Sequence, residues 1–243
     1  MSDRFGRIFL LSHMRAFTSL TGHVLGSHPE INGYYELHQS YEAASDLDHQ
    51  RETLARQEGL KPGSRFLFDK LLHDAYRLLP ERLAERDLKI IICLRRPAAT
   101  LASIVRLFAG RKGYECYAQP EQAAAYYRAR LATLARFAQE QAGRYGYFDA
   151  DLWQVAPEAL LAQLGLWLEL SSPLREEYRL FSLTGQPGAG DSSPRIRSGR
   201  IERTLHDHAE VALPTPLLHE AQVAFDACRT VLVTHAAWVV LGG

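Results

Sequence analysis

An arginine and two hydroxyl residues follow the first apolar segment of the chain. The segment RIFLLS at 7–12 leads into Arg15, and Thr18 and Ser19 come three and four residues later. An arginine can bond an oxyanion through its planar fork, and the first turn of a helix attracts anions through its backbone N–H groups. The spacing fits a phosphate-binding loop. Taken alone, however, it favours a helix that Thr18 or Ser19 merely caps, because the glycines and lysine of a GxxxxGK loop are missing.

A second arginine is paired with a hydroxyl further along the chain. The apolar segment LKIIICL at 88–94 ends in Arg95, and Ser103 follows eight positions later. Ligands of parallel sheets bind at the carboxyl ends of the strands, and Ser103 would lie about two turns into the next helix. The pair predicts a second phosphate site, although a surface arginine and an ordinary helical serine would give the same pattern.

In this order, the two motifs resemble the signatures of the PAPS-dependent sulfotransferases. RAFTS at 15–19 is similar to their first loop, an arginine or lysine followed by Ser-Gly-Thr and a hydroxyl residue. Arg95-Arg96-Pro97 with Ser103 is similar to their second signature, in which a serine lies eight residues beyond the arginine. The resemblance implies that residues 15–19 hold the 5′-phosphosulfate of PAPS. It also implies that Arg95 and Ser103 hold the 3′-phosphate, which remains in the product PAP.

Both motifs depart from the family pattern. Ala16 and Phe17 replace the usual Ser-Gly, which removes a hydroxyl and the residue that lets a backbone approach a ligand closely. Phe17 fits such a loop if its φ is negative. Arg96 replaces the usual acid before Pro97 and adds positive charge to a pocket for a polyanion. The resemblance still places Ala16 and Phe17 among the cofactor-binding residues.

Two other segments are similar to parts of the same family. FLFDK at 66–70 resembles a third-strand segment whose lysine assists sulfuryl transfer in some branches, which implies that role for Lys70. SPRIRSG at 193–199 resembles a late basic loop that closes over the 3′-phosphate. The resemblance therefore adds Arg197, Ser198 and Gly199 to the cofactor-binding residues. The surrounding stretch 186–205 is expected to be a flexible loop that covers the cofactor.

Candidate bases lie in the segment YYELH at 34–38. GYYEL at 33–37 has the composition of a short strand, and alternate positions on a strand point to one face. Glu36 and His38 would then reach the same pocket. We expect Glu36 to accept the proton of the acceptor and His38 to position the acceptor, with His13 the next base to consider. Arg15 and Lys70 are expected to neutralise charge on the transferring group.

The elements that must position these residues alternate along the chain, as βα units do. Strands are predicted at 7–12, 33–37, 65–69, 88–94 and 144–149. Helices are predicted at 18–26, 41–57, 97–108, 119–142 and 157–169, with a C-terminal helical region at 215–241. The pattern predicts an α/β chain with one domain over 1–243 and a three-layer sandwich around a central parallel sheet. The resemblance specifies this as the P-loop NTPase-like sulfotransferase fold.

Composition limits the partners and the compartment. The chain has 28 Lys+Arg and 28 Asp+Glu, whereas nucleic-acid and anionic-membrane binders need an excess of basic charge. No stretch approaches the roughly 20 apolar residues of a membrane span, and the N-terminal apolar run is too short for a signal peptide. Three cysteines without CxxC spacing indicate a reduced, cytoplasmic setting without structural zinc. No residues have the spacing of metal ligands.

The leading hypothesis is a sulfotransferase that moves a sulfuryl group from PAPS, without a metal, to a hydroxyl or amine of a small molecule. One alternative is a P-loop-like kinase for a small metabolite, which would need a Walker lysine and Mg²⁺ ligands. Another is a nucleotide-binding module that has lost catalysis, which the altered residues Ala16 and Phe17 would fit. The acceptor and any homo-oligomer are left open. Four tyrosines could form the wall of an acceptor pocket: Tyr114, Tyr117, Tyr126 and Tyr127.

Overall fold

A sheet of six parallel strands forms the centre of the computed structural model, which describes residues 5–83, 87–186, 191, 193–203 and 211–242. The strands are β1 (Gly6–Leu11), β2 (Ile31–Asn32), β3 (Phe66–Leu71), β4 (Leu88–Leu94), β5 (Tyr145–Asp149) and β6 (Trp238–Val240). Their order is β2-β3-β1-β4-β5-β6, and every neighbouring pair is parallel. β1 is buried along its whole length, which explains its nearly continuous apolar sequence.

Helices cover both faces of this sheet. They are α1 (Thr18–Ser27), α2 (Ala44–Gln57), α3 (Pro97–Phe108), α4 (Pro120–Glu140), α5 (Leu152–Val155), α6 (Pro157–Trp167) and α7 (Thr215–His235). α3, α4 and α6 each begin with a proline, a residue whose fixed φ suits the first helical position. Among the described residues, no helix combines the length and apolar character that a bilayer crossing requires.

Two hydrophobic cores separate the three layers. Successive side chains of a strand point to opposite faces. Phe9 and Leu11 of β1 therefore pack with α3, α4 and α7, whereas Ile8 and Leu10 pack with α1 and α6. β4 divides in the same way, with Ile90 facing the first core. The α/β architecture with a central parallel sheet is confirmed.

The strand expected at 33–37 is wrong. β2 consists of Ile31–Asn32, and the backbone turns away at Gly33, which has φ of 91°. A side chain at Gly33 would meet the Phe68 carbonyl oxygen at 2.5 Å, so this turn against β3 requires glycine. Glu36 and His38 consequently lie on a loop. Lys70 also differs from expectation, because it lies within β3 and not after it.

The prediction of a C-terminal helical region at 215–241 is also wrong for its last residues. α7 ends at His235, and Trp238–Val240 forms β6 beside β5. A short apolar run cannot be assigned to helix or strand by periodicity alone, and its valines suit a strand. In the expected covering loop 186–205, residues 187–190, 192 and 204–205 lie outside the described part. Within it, Pro194–Ser198 forms a short 3₁₀ helix.

Candidate functional site

A cavity of about 520 Å³ lies at the carboxyl ends of β1, β3 and β4. Its walls come from the loop after β1, the segment after β2, the end of β3, the residue after β4, the middle and end of α3, and residues 191, 195, 196, 200 and 202. Most of the residues singled out in the sequence line it: Arg15, Phe17, Thr18, Ser19, Glu36, His38, Lys70, Arg95 and Ser103. Segments that are far apart in the chain thus meet in one cavity, as the topology of a parallel sheet allows.

The loop after β1 has an unusual backbone. Arg15 and Phe17 have φ of 65° and 56°, in the left-handed region that favours glycine. The φ of Phe17 is therefore positive, whereas the expected loop required it to be negative. Its ring lies 4.4 Å from the Arg95 guanidinium, and this cation–π contact helps to hold the strained conformation. Ala16 is fully buried in the core behind the loop and does not line the cavity.

The start of α1 is left open toward the cavity. Phe17 is the N-cap residue and supplies no side-chain hydrogen bond, so neither Thr18 nor Ser19 caps the helix. The N–H groups of the first turn have no partner within a helix. Together with the hydroxyls of Thr18 and Ser19, they form a site suited to an anion.

Hydrogen bonds join the residues of the two expected phosphate sites. Arg15 donates a hydrogen bond from Nε to the Ser103 hydroxyl over 2.8 Å. Arg95 donates from Nη1 to the Arg15 carbonyl oxygen over 3.1 Å. The first loop is therefore joined directly to α3 and to the residue that follows β4.

Arg95 is buried and pairs with an acid outside the cavity. The residue is 6% exposed, and its Nε–H group lacks a hydrogen-bond partner among the described residues. Burial lowers the pKa of Arg95 to about 10, so the guanidinium remains charged at neutral pH. The Nε atom lies 3.6 Å from Asp151 Oδ1, so an ion pair takes the place of a hydrogen bond, and Asp151 does not line the cavity. The Arg95 side chain itself lines the cavity and adds positive charge to its wall.

His13 lies behind the cavity wall and binds the backbone of Arg95. Its Nε2 accepts the Arg95 backbone N–H at 3.1 Å, so its Nδ1–H donates to the Met14 carbonyl oxygen at 2.8 Å. Burial lowers the pKa of His13 to about 3. The ring is neutral, has both nitrogens occupied and does not line the cavity. The structure thus contradicts His13 as the reserve base and assigns it to positioning Arg95.

Lys70 and Asp191 meet at one hydroxyl. Lys70 Nζ and the Asp191 backbone N–H both donate to Ser19 Oγ, at 3.4 and 3.0 Å. Because a hydroxyl can accept two hydrogen bonds and donate one, Ser19 can still donate its proton to an anion. Burial lowers the pKa of Lys70, and the nearby carboxylates, led by Glu36, oppose that shift.

Asp191 also faces Arg15. Its Oδ1 lies 3.5 Å from Arg15 Nη1. Burial raises the pKa of the Asp191 carboxyl, but the Arg15 guanidinium and hydrogen bonds from Ser193 bring it below its ordinary value. A carboxylate therefore lies beside the arginine that was expected to hold the phosphosulfate. No sequence motif pointed to it.

Glu36 and His38 line the cavity from a loop that Asp69 holds in place. Buried Asp69 accepts hydrogen bonds from the Leu37 N–H at 3.0 Å and from the Tyr41 hydroxyl at 2.7 Å. Glu36 Oε1 is buried, 3.8 Å from His38 Nδ1, and lacks a hydrogen-bond partner among the described residues. Glu36 therefore presents an unsatisfied carboxylate oxygen in the cavity wall.

His73 was missed by the sequence reasoning. It lines the cavity just beyond β3, near Glu36 and His38. Burial lowers the pKa of His73, which favours its neutral ring. The sequence signal that could have indicated His73 is its position three residues after Lys70, near the end of a predicted strand.

The basic segment contributes different residues from those expected. Arg195 and Arg200 line the cavity, whereas Arg197, Ser198 and Gly199 do not. Arg197 instead donates from Nη2 to the Gly185 carbonyl oxygen at 2.9 Å. A 3₁₀ helix has about three residues per turn, so positions 195 and 197 point in different directions, which the sequence does not show.

The opposite end of the cavity is apolar and aromatic. Tyr114 and Tyr117 line it together with Leu107 and Phe108. The other two expected tyrosines serve the structure. Tyr126 donates to the Leu72 carbonyl oxygen, and Tyr127 donates to the Arg95 carbonyl oxygen, at 2.9 and 2.8 Å.

Known structures resemble the fold of this chain, although no protein-family model and no curated protein matches the sequence. The sulfotransferase domain from the curacin biosynthetic pathway is 19% identical, with a TM-score of 0.57 over 94% of this chain and 99% of that one. The sulfotransferase domain from the Synechococcus PCC 7002 olefin synthase is 16% identical, with a TM-score of 0.57 over 93% and 97%. The chain therefore has the sulfotransferase fold that its two arginine motifs predicted.

Proposed function

We propose that the protein transfers a sulfuryl group from PAPS to a hydroxyl or amine of a small molecule. One observation carries the proposal. The cavity wall brings together three cations, Arg15, Lys70 and Arg95, and a buried carboxylate oxygen, Glu36 Oε1, that lacks a hydrogen-bond partner among the described residues. A buried oxygen of this kind is costly unless a ligand satisfies it. The cations suit an anionic donor, and the carboxylate suits a proton.

The residues present fit the phosphates of PAPS. Arg95 and Ser103 would hold the 3′-phosphate. Arg15, Thr18 and Ser19 would hold the 5′-phosphosulfate at the open start of α1. Arg195 and Arg200, which line the same cavity, would take the covering role that the sequence gave to residues 197–199. When bound, PAPS supplies the sulfuryl group, and its phosphate oxygen keeps the electron pair of the broken S–O bond.

Lys70 is suited to stabilise the charge that develops during transfer. In transfers of this type charge accumulates on peripheral oxygens, and positioned cations provide much of the catalysis. Buried Lys70 shares Ser19 Oγ with the anion site. Its ammonium group would therefore act on the oxygen from which sulfur departs, together with Arg15.

Glu36 is the proposed base. It takes the proton from the acceptor hydroxyl as the acceptor oxygen forms its bond to sulfur. His38, 3.8 Å from Glu36 Oε1, would position the acceptor. His73 is the other group in this wall that could accept the proton.

Calorimetry and turnover together test the proposal. We expect PAP to bind without Mg²⁺, and we expect ATP to bind more weakly with or without Mg²⁺. Radiolabelled PAPS should then label acceptors from a panel of alcohols and amines. ATP binding that requires Mg²⁺, with no binding of PAP, would favour the kinase. PAP binding without any transfer would favour a nucleotide-binding module.

A further inference from the structure

We propose that the acceptor carries an anionic group, a carboxylate or a phosphate ester, at the far end of an apolar body, and that Arg111 and Lys112 bind this group. The inference rests on the proposed function, since it concerns the acceptor half of the same cavity. It follows from the position of two cations that the proposed cofactor contacts do not use.

Arg111 and Lys112 line the cavity just beyond the end of α3. Within the described part of the chain, neither forms an ion pair with a carboxylate. The Arg111 guanidinium lies 5.8 Å from the centre of the Phe108 ring. Arg111 is half-buried and Lys112 is exposed. Two adjacent cations at the rim of a cavity can therefore bind an anion without displacing a carboxylate.

Four other cations of the cavity have contacts in the cofactor half, and Arg200, which also lines the wall, lies in the segment proposed to cover the cofactor. Arg15 faces Asp191 and bonds Ser103, Lys70 bonds Ser19, and Arg95 bonds the Arg15 carbonyl oxygen. Arg195 lies near the charges of Asp191 and Arg15. Arg111 and Lys112 have none of these contacts.

The two cations and the acceptor wall belong to one face of the cavity. Leu107, Phe108, Tyr114 and Tyr117 form its apolar lining. The Tyr117 and Phe108 ring centres are 5.2 Å apart, and Phe108 also stacks on Tyr114. His73, near Glu36, lines the same cavity. An acceptor in this cavity therefore meets apolar side chains between the proposed base and the two cations.

The length of this surface limits the acceptor. Phe108 is five residues beyond Ser103 on α3, which corresponds to roughly 7–8 Å along the helix axis. Arg111 follows the end of α3. An acceptor whose anion reaches Arg111 while its hydroxyl reaches Glu36 thus needs an apolar spacer between the two groups. The aromatic side chains along the path would pack against it.

Three matched probes test the inference: 4-(4-hydroxybutyl)benzoate, its neutral carboxamide, and 4-(4-hydroxybutyl)phenyl phosphate. Dissociation constants are measured by calorimetry in the presence of PAP, and KM is measured with PAPS. We expect at least one anionic probe to bind roughly tenfold more tightly than the carboxamide, as charge-assisted hydrogen bonds would give. Comparison of the benzoate with the phosphate identifies which anion the site prefers.

The variant Arg111→Gln/Lys112→Gln should lose most of this preference and bind the carboxamide as the wild type does. Arg111→Lys should retain part of it. Arg128→Gln removes a cation of α4 that pairs with Glu220 outside the cavity, and it should keep the full preference. These results would support the assignment of both cations to the acceptor.

Several outcomes would overturn the inference while the proposed function stands. These are equal binding of anionic and neutral probes to the wild type, no binding of either anionic probe, or an unchanged preference in the double variant. A tenfold loss of PAP affinity in the double variant would assign the two cations to the cofactor and would also overturn it. Failure of the wild type to bind PAP would be different, since it would refute the proposed function itself.

Discussion

Arg15 and Ser103 lie 88 residues apart in the chain, and the Arg15 Nε–H group donates a hydrogen bond to the Ser103 hydroxyl over 2.8 Å. Arg15 belongs to the loop after β1, and Ser103 lies on α3. The two motifs that suggested separate phosphate sites are therefore parts of one hydrogen-bonded group. A change at either residue should affect both phosphates of the proposed cofactor.

A double-mutant cycle should detect this coupling. We expect Arg15→Gln and Ser103→Ala each to weaken PAP binding. The double variant should lose less than the sum, by about 0.5–1.5 kcal/mol, because each single change already breaks the shared hydrogen bond. Arg15→Gln combined with Arg200→Gln is the control, since no hydrogen bond joins that pair. Additive losses for Arg15 and Ser103, measured by calorimetry, would contradict the coupling.

Arg95→Ala should weaken PAP binding by about 1.5–3 kcal/mol, the usual contribution of a hydrogen bond to a charged group. Adenosine 5′-phosphosulfate, which lacks the 3′-phosphate, should lose much less. Arg96→Ala is a matched control, because the neighbouring side chain is 65% exposed and does not line the cavity. If both ligands weaken equally in Arg95→Ala, Arg95 does not bind the 3′-phosphate.

Asp191→Asn should strengthen PAP binding several-fold. The Asp191 carboxylate, held ionised beside Arg15, competes with a phosphate for the same guanidinium, and the substitution removes like-charge repulsion of the ligand. Glu202→Gln, at another acid of the cavity wall, should change the affinity less. Weaker binding of PAP to Asp191→Asn would show that the carboxylate supports the bound state.

Sequence reasoning was most accurate where one physical cause dominated. The apolar run of β4 and the proline that starts α3 gave both elements their observed bounds. It failed where tertiary contacts decide. GYYEL has the composition of a strand, but the close approach of Gly33 to Phe68 turns it into a loop. Arg195 lines the cavity and Arg197 does not because they point in different directions on one short 3₁₀ helix. Asp191 lies beside Arg15 because two segments that are distant in the chain come into contact.

His13 should make stability depend on pH. Its pKa is about 3 in the folded chain and about 6.5 when unfolded. The unfolded state therefore binds the extra proton first, and stability falls as pH decreases from 6.5 toward 3, by up to about 1.4 kcal/mol per pH unit. In His13→Gln, urea unfolding between pH 6.5 and 4.5 should show a slope smaller by that amount. His23→Gln offers a comparison, since the pKa of His23 is lowered by burial to about 4.

Glu36→Gln should reduce kcat by a factor of about 10²–10⁴, the usual contribution of a positioned base, while PAP affinity stays unchanged. The amide keeps the shape of the side chain but cannot take a proton, and Glu36 Oε1 has no hydrogen bond within the described residues whose loss would disturb the fold. His38→Asn should cost less, because His38 is expected only to position the acceptor. His73→Asn is the decisive comparison. If it abolishes turnover while Glu36→Gln remains near wild type, the neutral ring of His73 is the base, and Glu36 acts through its charge on Lys70.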